Sequence, residues 1–349
     1  RNIGRLRRNI LLGKSAEVND NKPQRWKNMA RIALGQTKMV VRPIPGILHI
    51  IVYVGFVIIN IEVLEIIIDG LLGTHRVFSG LGKLYNFLIG SFEILALLVI
   101  IAVVVFWVRR NVIRLKRFLK PEMTGWPKKD GNLILYIEVV LMVLFLTMNA
   151  ADFQLQQLGS EHYIKAGAFP VSGVIAALFQ GISEANLIIV ERAAWWLHIS
   201  GILFFLNYLY YSKHLHIMLA FPNVYFSSLK EKGYVPNMPE VTKEIKLMMD
   251  PNADPFAAPP EGAEEAEVGK FGASDVTDLN WVQLMNSYSC TECGRCTSEC
   301  PANQTGKKLS PRKIMMDTRD RLEEVGKNID SNNGVFVPDN KQLLDDYIT

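Results

Sequence analysis

Cysteine is scarce in this chain, and what there is lies together. Four of the 349 residues are cysteines, all between Cys290 and Cys300. Four thiols within eleven residues make a poor disulfide framework. A zinc site usually draws on two separated Cys/His pairs, and the sequence has no second pair. There is no Gly-rich nucleotide loop, no catalytic-triad pattern and no flavin fingerprint. There is no secretory signal either, because the amino end is basic and polar and lacks an apolar core ahead of a small-residue cleavage site. Charge is also in short supply. Charged residues make up 21% against 49% hydrophobic ones, and the apolar residues come in long blocks. That combination excludes a large soluble core and points to a membrane protein. The net charge of +4 matters less than where the charges lie.

The cysteines that are present read Cys290-Thr-Glu-Cys293-Gly-Arg-Cys296-Thr-Ser-Glu-Cys300-Pro301. The spacing C-x2-C-x2-C-x3-C-P wraps a cubane [4Fe–4S] cluster. Cys290, Cys293 and Cys296 share one tight loop and reach three corners of one cluster. Cys300, after a longer gap and before a proline, points away and ligates the other cluster in two-cluster ferredoxins. A second cysteine set is therefore expected beyond Thr349, and the chain, which begins at Arg1 and not Met, reads as trimmed at both ends. A cluster of this kind fits a reducing compartment.

Residues 1–42 are strongly basic and read either as a solvated arm or as a cytoplasmic segment on anionic headgroups. An interfacial helix over 25–40 would put Trp26, Met29, Ile32 and Ala33 on one side. A membrane domain over 43–229 holds four apolar spans, 44–68, 84–108, 133–150 and 193–211, each long enough to cross about 30 Å of hydrocarbon. The apolar stretch 169–182 is too short and reads as a re-entrant or surface helix. Between spans two and three lie Arg109, Arg110, Arg114, Lys116, Arg117, Lys120, Lys128 and Lys129, while the loops after spans one and three carry few positive charges. By the positive-inside rule both termini and the iron–sulfur domain are cytoplasmic. Residues 230–275 read as a Pro/Ala/Glu/Gly linker. Residues 276–349 form the iron–sulfur domain, read as truncated at its C-terminal end. Its helices are expected over 276–286, capped by Ser274 or Asp275, and from Ser310 to about 325 with Pro311 in the first turn.

Three histidines stand out. His49 lies one turn inside the cytoplasmic end of the first span, His198 near the outer end of the fourth, and His216 just past its inner end. On one continuous helix, His198 and His216 share a face about 27 Å apart. His49 and His216 then lie at one depth on antiparallel helices, where two imidazoles can clamp a haem iron. The alternative is that terminal histidines sit at the headgroups, which is the reading favoured for His214. Glu62, Glu65, Glu93 and Glu138 lie inside apolar spans, where carboxylates are costly. They either carry protons to or from a quinone or hydrogen-bond between helices as neutral acids, and the sequence does not separate the two.

The fourth span, with His198 followed by Ser212-Lys-His-Leu-His216, resembles the S-[RK]-x-x-H ending of the last helix in the nitrate reductase gamma subunit. His49 matches a haem-ligand helix of the same family. The cysteine run resembles the ferredoxin module of heterodisulfide reductase subunits. The combination is similar to the fused membrane iron–sulfur oxidoreductases related to heterodisulfide reductase, over roughly residues 5–349. The resemblance implies haem b, quinone exchange, and ligand roles for His49, His198 and His216. It departs in one place. Where the gamma subunit bears a second histidine on its first ligand helix, this chain reads Ile58-Ile59-Asn60-Ile61. Either His75 in the following loop substitutes or the second haem is lost, with His162 a weaker substitute.

The expected fold is all-α, a transmembrane four-helix bundle followed by a small α-helical ferredoxin-type domain. The expected role is a quinone-linked oxidoreductase subunit of the inner membrane. It would pass electrons between a cytoplasmic redox protein, such as an electron-transfer flavoprotein or a heterodisulfide reductase-like subunit, and membrane quinone. Its partners include the lipid bilayer and no nucleic acid. Two rivals remain open at this point: a non-redox membrane scaffold with a structural cluster, and a haem-free iron–sulfur anchor.

Overall fold

The computed structural model describes residues 1–343 apart from 17, 19, 232, 236 and 252–271. The middle of the expected 230–275 linker lies outside the described residues. Among the described residues the chain is all-α, without a strand. In order the helices are α1 (Asn2–Ile10), α2 (Lys22–Met29), α3 (Pro43–Leu72), α4 (Lys83–Asn111), α5 (Trp126–Leu158), α6 (Ser172–Ile175), α7 (Glu184–Tyr208), α8 (His216–Tyr225), α9 (Pro239–Met249), α10 (Trp281–Tyr288), α11 (Arg295–Glu299), α12 (Pro301–Gln304) and α13 (Pro311–Ser331). They fall into two compact units. One is Ala30–Leu215 with Thr291–Cys293; the other joins Arg1–Met29 to His216–Cys290 and Gly294–Thr349.

In the first unit α3, α4, α5 and α7 (with its 3-10 extension to Tyr211) are long and apolar enough to cross a membrane. Each outruns the apolar run that announced it, because a helix satisfies its own backbone and can continue past the hydrocarbon. α3 opens on Pro43 in its first turn and closes on Gly73 in the left-handed conformation, the favoured residue types at those two ends. α3 packs on α4, α4 on α5, and α5 on α7. The core between them is Ile59, Ile66, Tyr85, Ile89, Phe92, Ala96, Phe145, Leu146, Met148, Ala194 and Ile199. Phe56, Leu64, Leu97, Val104, Val140 and Leu203 are exposed on the outer faces, as helices bathed in lipid require. Close approach uses small residues. A Cβ on Gly55 would stand 2.6 Å from Cγ2 of Val99.

The 169–182 stretch turns inward. α6 and a 3-10 turn, Ala176–Phe179, pack on α5. The amides of Val171 and Ser172 donate to Glu93 Oε2 at 2.9 and 3.1 Å, and Ser172 Oγ donates to the Leu146 carbonyl at 3.0 Å. Glu93 lies about 15 Å along α4 by helical rise. Irregular backbone at that depth is tolerated only where protein buries it.

The basic residues 1–29 form part of the second unit. Leu6 and Ile10 of α1 are buried, and α1 packs on α10 and α13. Asn9 Nδ2 donates to Tyr288 OH at 3.0 Å. Gly326 admits the Asn9 side chain, which a Cβ would meet at 2.6 Å. Lys14 pairs with Asn280 in an isolated bridge. Arg25 is buried, with its guanidinium donating to the Tyr225 and Ser227 carbonyls at 2.8 Å each. The expected 276–286 helix divides in two. Asp275 caps a 3-10 turn over Val276–Asp278, and Asn280 starts α10 in a capping box with Gln283. Ser310 caps α13 with Pro311 in the first turn. α9 forms within the stretch read as linker.

Gly55→Leu should push α3 off Val99 and cost about 1–3 kcal/mol, the usual range for overpacking. Gly173→Ala adds a Cβ whose nearest neighbour, Phe153, is 4.0 Å away and should leave stability unchanged. Thermal unfolding of the two variants in detergent checks both.

Candidate functional site

The cysteine loop begins as α10 ends. Glu292 and Gly294 both take the left-handed conformation, φ 55° and 73°, and turn the chain tightly between Cys290 and Cys296. Cys296 lies in α11 and is exposed, and Cys300 is the N-cap residue of α12 ahead of Pro301. Cys296 and Cys300 carry free thiols. Among the described residues no three His, Cys, Asp or Glu side chains converge on a single ion. A cubane binds thiolates at separate corners, and a donor set made only of cysteine suits it.

Glu292 is buried and pairs with Lys213, whose ammonium also donates to the Pro127 carbonyl at 2.8 Å. Burial pushes the Lys213 ammonium below its usual range despite the neighbouring Glu292 and Asp130 carboxylates. Asp130 does more than supply charge. It accepts from the Lys213 amide at 3.1 Å and from Tyr208 OH. These bonds hold the chain where α7 stops. Ser212 is extended, φ −113° and ψ 151°, so no continuous helix joins His198 to His216. The expectation that the two share a face about 27 Å apart on one helix is corrected by this break. His214 sits 3.7 Å from Glu138 Oε1 and packs on Phe205.

His49 lies in the second turn of α3, half-buried, and His216 is the first residue of α8. They belong to different units. His198 is 1% exposed. Its Nδ1 donates to the Leu141 carbonyl at 3.0 Å, and its buried Nε2 has no partner among the described residues. A fixed Nδ1–H with an open Nε2 is the state in which histidine ligates metal. His75 is the opposite case. Its Nε2 lies 3.1 Å from Asp152 Oδ1, and its Nδ1 accepts from the Ile164 amide at 3.3 Å. Both nitrogens are engaged, and its ring packs on His162 and Tyr163. The α7 residues that share its cavity are Glu191, Arg192 and Trp195, not His198.

That cavity marks a polar network which the sequence reading met through Glu62, Glu65, Glu93 and His75 but did not assemble. Arg76, 6% exposed, is its centre. It donates from Nε to Asp152 at 2.7 Å, from Nη1 to Tyr85 OH at 3.1 Å and from Nη2 to Asn149 at 2.9 Å. Its guanidinium also stacks 4.9 Å over Phe169. Its backbone is left-handed, φ 53°, a strained state for a residue with a Cβ, and its amide is held by Asp69 Oδ2 at 2.7 Å. Burial opposes its charge, but Asp152, Tyr85 and Glu62 outweigh that and hold it protonated well above its usual range. The signal in the sequence was an Asp just past the end of an apolar span, at 152, and one Arg in a loop otherwise poor in cations.

No protein-family model matches the chain, and no solved structure does. Among curated proteins it is 28% identical over 325 residues to an iron–sulfur-binding oxidoreductase named FadF from Bacillus subtilis, covering 92% of this chain and 40% of the relative. It is 26% identical over 301 residues to the EtfAB:quinone oxidoreductase of Syntrophomonas wolfei, covering 84% of this chain and 37% of that protein. A segment of 47 residues is 39% identical to a membrane-anchored ferredoxin of Chromohalobacter salexigens, 14% of this chain and 7% of that one. The chain thus spans about two-fifths of the length of the first two relatives.

Arg76→Gln should cost about 3–5 kcal/mol, because it leaves buried carboxylates without their cation. Arg76→Lys should recover only part of that, since an ammonium cannot reproduce the fork to Asp152, Asn149 and Tyr85. Unfolding midpoints in detergent would rank wild type, Lys and Gln in that order; equal midpoints would show that the network does not hold the bundle.

Proposed function

We propose that this chain is part of a membrane iron–sulfur oxidoreductase that passes electrons between a cytoplasmic redox protein and membrane quinone. The observation that carries the reading is the all-cysteine loop built on two left-handed residues, with Cys300 directly ahead of Pro301. Cys290, Cys293 and Cys296 hold one [4Fe–4S] cluster, and Cys300 reaches toward a second. The names of the relatives support this: one is an iron–sulfur-binding oxidoreductase, and another an EtfAB:quinone oxidoreductase, which makes an electron-transfer flavoprotein the favoured cytoplasmic partner. The four apolar helices support a multi-pass protein, and the basic loop between α4 and α5 supports both termini and the cluster domain lying on the cytoplasmic side.

Haem b ligand roles are assigned to His49, His216 and His198. The open Nε2 of His198 fits an iron ligand, with Leu141 fixing the tautomer. His75 is assigned to the acid network and not to iron, because a metal would have to displace Asp152 or the Ile164 amide. Clusters and haems supply one-electron chemistry when bound; the chain's own part is to fix thiolates and imidazoles.

Iron analysis, electron paramagnetic resonance and reduced-minus-oxidised optical spectra of the purified protein test the reading. Cys290→Ser, Cys293→Ser and Cys296→Ser should each remove one cluster signal, about four irons. His49→Ala, His216→Ala and His198→Ala should each remove haem absorbance, while His214→Ala and His75→Ala leave it. A protein with an intact cluster and no haem band in any form would support the haem-free anchor instead.

A further inference from the structure

Five carboxyls line the cavity around His75: Glu62, Glu65, Asp69, Asp152 and Glu191. Four of them are satisfied by donors. Glu65 accepts from the Phe78 amide and Tyr85 OH at 2.9 Å each. Asp69 accepts from Thr74 Oγ1 at 2.6 Å and from the Arg76 amide at 2.7 Å. Asp152 holds Arg76 and the His75 ring. Glu191 accepts from Tyr163 OH at 3.0 Å and faces Arg192 Nε at 3.1 Å. Glu62 is different. It is 2% exposed, Asn149 of α5 faces its carboxyl, its Oε1 is 3.9 Å from Arg76 Nη1, and its Oε2 has no partner among the described residues. On α4 the groups facing this cluster are Tyr85 and Glu93, and both are committed elsewhere, Tyr85 to Glu65 and Glu93 to the amides of Val171 and Ser172.

The cavity measures about 40 Å³. A water takes roughly 10–15 Å³ by this measure, so about three fit. Buried waters settle where polar groups lack partners, and Oε2 of Glu62 is such a group. The walls run from Glu62, about 15 Å by helical rise before the end of α3, out to exposed Thr74 and to Arg192, whose side chain is 41% exposed.

We infer that this cavity is a water-filled chamber through which Glu62 exchanges protons with the solvent at the Gly73 end of α3. The exchange is a simple transfer: an O–H bond of a chamber water breaks as the carboxyl O–H forms, and the water is restored from solvent. Nothing is oxidised or reduced in it. The chamber has room for waters and not for a quinone ring, so it is a proton site and not the quinone site. Use of the proton in quinone chemistry rests on the function proposed above; the exchange itself does not.

Infrared spectroscopy of the purified full chain, with no turnover and no quinone added, tests this. A carboxylic-acid C=O band should be present in wild type, absent in Glu62→Gln and retained in Glu65→Gln. It should shift within minutes of transfer to D2O. Thr74→Trp, placed at the mouth in a chain that keeps Glu62, should slow that shift at least tenfold. A band that survives Glu62→Gln, the absence of a band in wild type, a band that fails to shift over hours, or a shift as fast in Thr74→Trp as in wild type would each overturn the proposal. Since these readouts involve no cluster, haem or quinone, their failure would leave the electron-transfer reading standing.

Discussion

The bundle depends on one buried cation. Arg76 reaches into apolar protein from the loop after α3 and is met there by Asp152 and Asn149 of α5 and Tyr85 of α4. A guanidinium in such surroundings is tolerable only when its donors are matched. The matching fixes much else. The loop from Gly73 to Gly82 is pinned by Asp69, which holds the Arg76 and Val77 amides. α3 is tied to α4 through Tyr85 and Glu65. The re-entrant segment is drawn in by Phe169 beneath the guanidinium and by Glu93 at the start of α6. A strained left-handed arginine persists because so many neighbours hold it.

A second anchor works at the other end of α5. Asp130 receives Tyr208 OH and the Lys213 amide, and Ser212 Oγ receives the His214 amide. Together they end α7 and start a new turn. The sequence around this point, Leu209-Tyr-Tyr-Ser-Lys-His-Leu-His216, contains neither Gly nor Pro and reads as one helix. The carboxylate that stops it lies 83 residues earlier, so local propensity could not reveal the break. Every phase argument that carried a histidine across Ser212 inherits the error.

Much else was legible, for plain reasons. Apolar runs of membrane length have few alternatives to a helix, so the four spans could be placed. Pro311 after Ser310 named the start of α13 because both residues suit a helix start. The cysteine spacing is local and could be read without the fold. What escaped was long-range. The burial of α1 rests on Asn9 meeting Tyr288, and the state of His75 on Asp152, 77 residues away. The glutamates could be flagged as costly but not sorted, because sorting them requires knowing which donors face each one. In the structure Glu65 and Glu93 are acceptors for named amides and a hydroxyl, while Glu62 keeps an oxygen with none.

The same sorting separates two histidines that the sequence grouped together. Both lie in the membrane unit, and both came forward as partners for one iron. A ligating imidazole needs one nitrogen fixed and the other open. His198 meets this with a backbone carbonyl on Nδ1 and an unfilled Nε2. His75 spends one nitrogen on a carboxylate and the other on an amide, and its ring stands among His162 and Tyr163 at the edge of the acid network. Since a neutral imidazole that accepts at Nδ1 must carry its proton on Nε2, His75 is fixed as a donor to Asp152. That donor helps satisfy the same carboxylate that holds Arg76. The histidine is therefore bonded into the network around Arg76, beside the cavity.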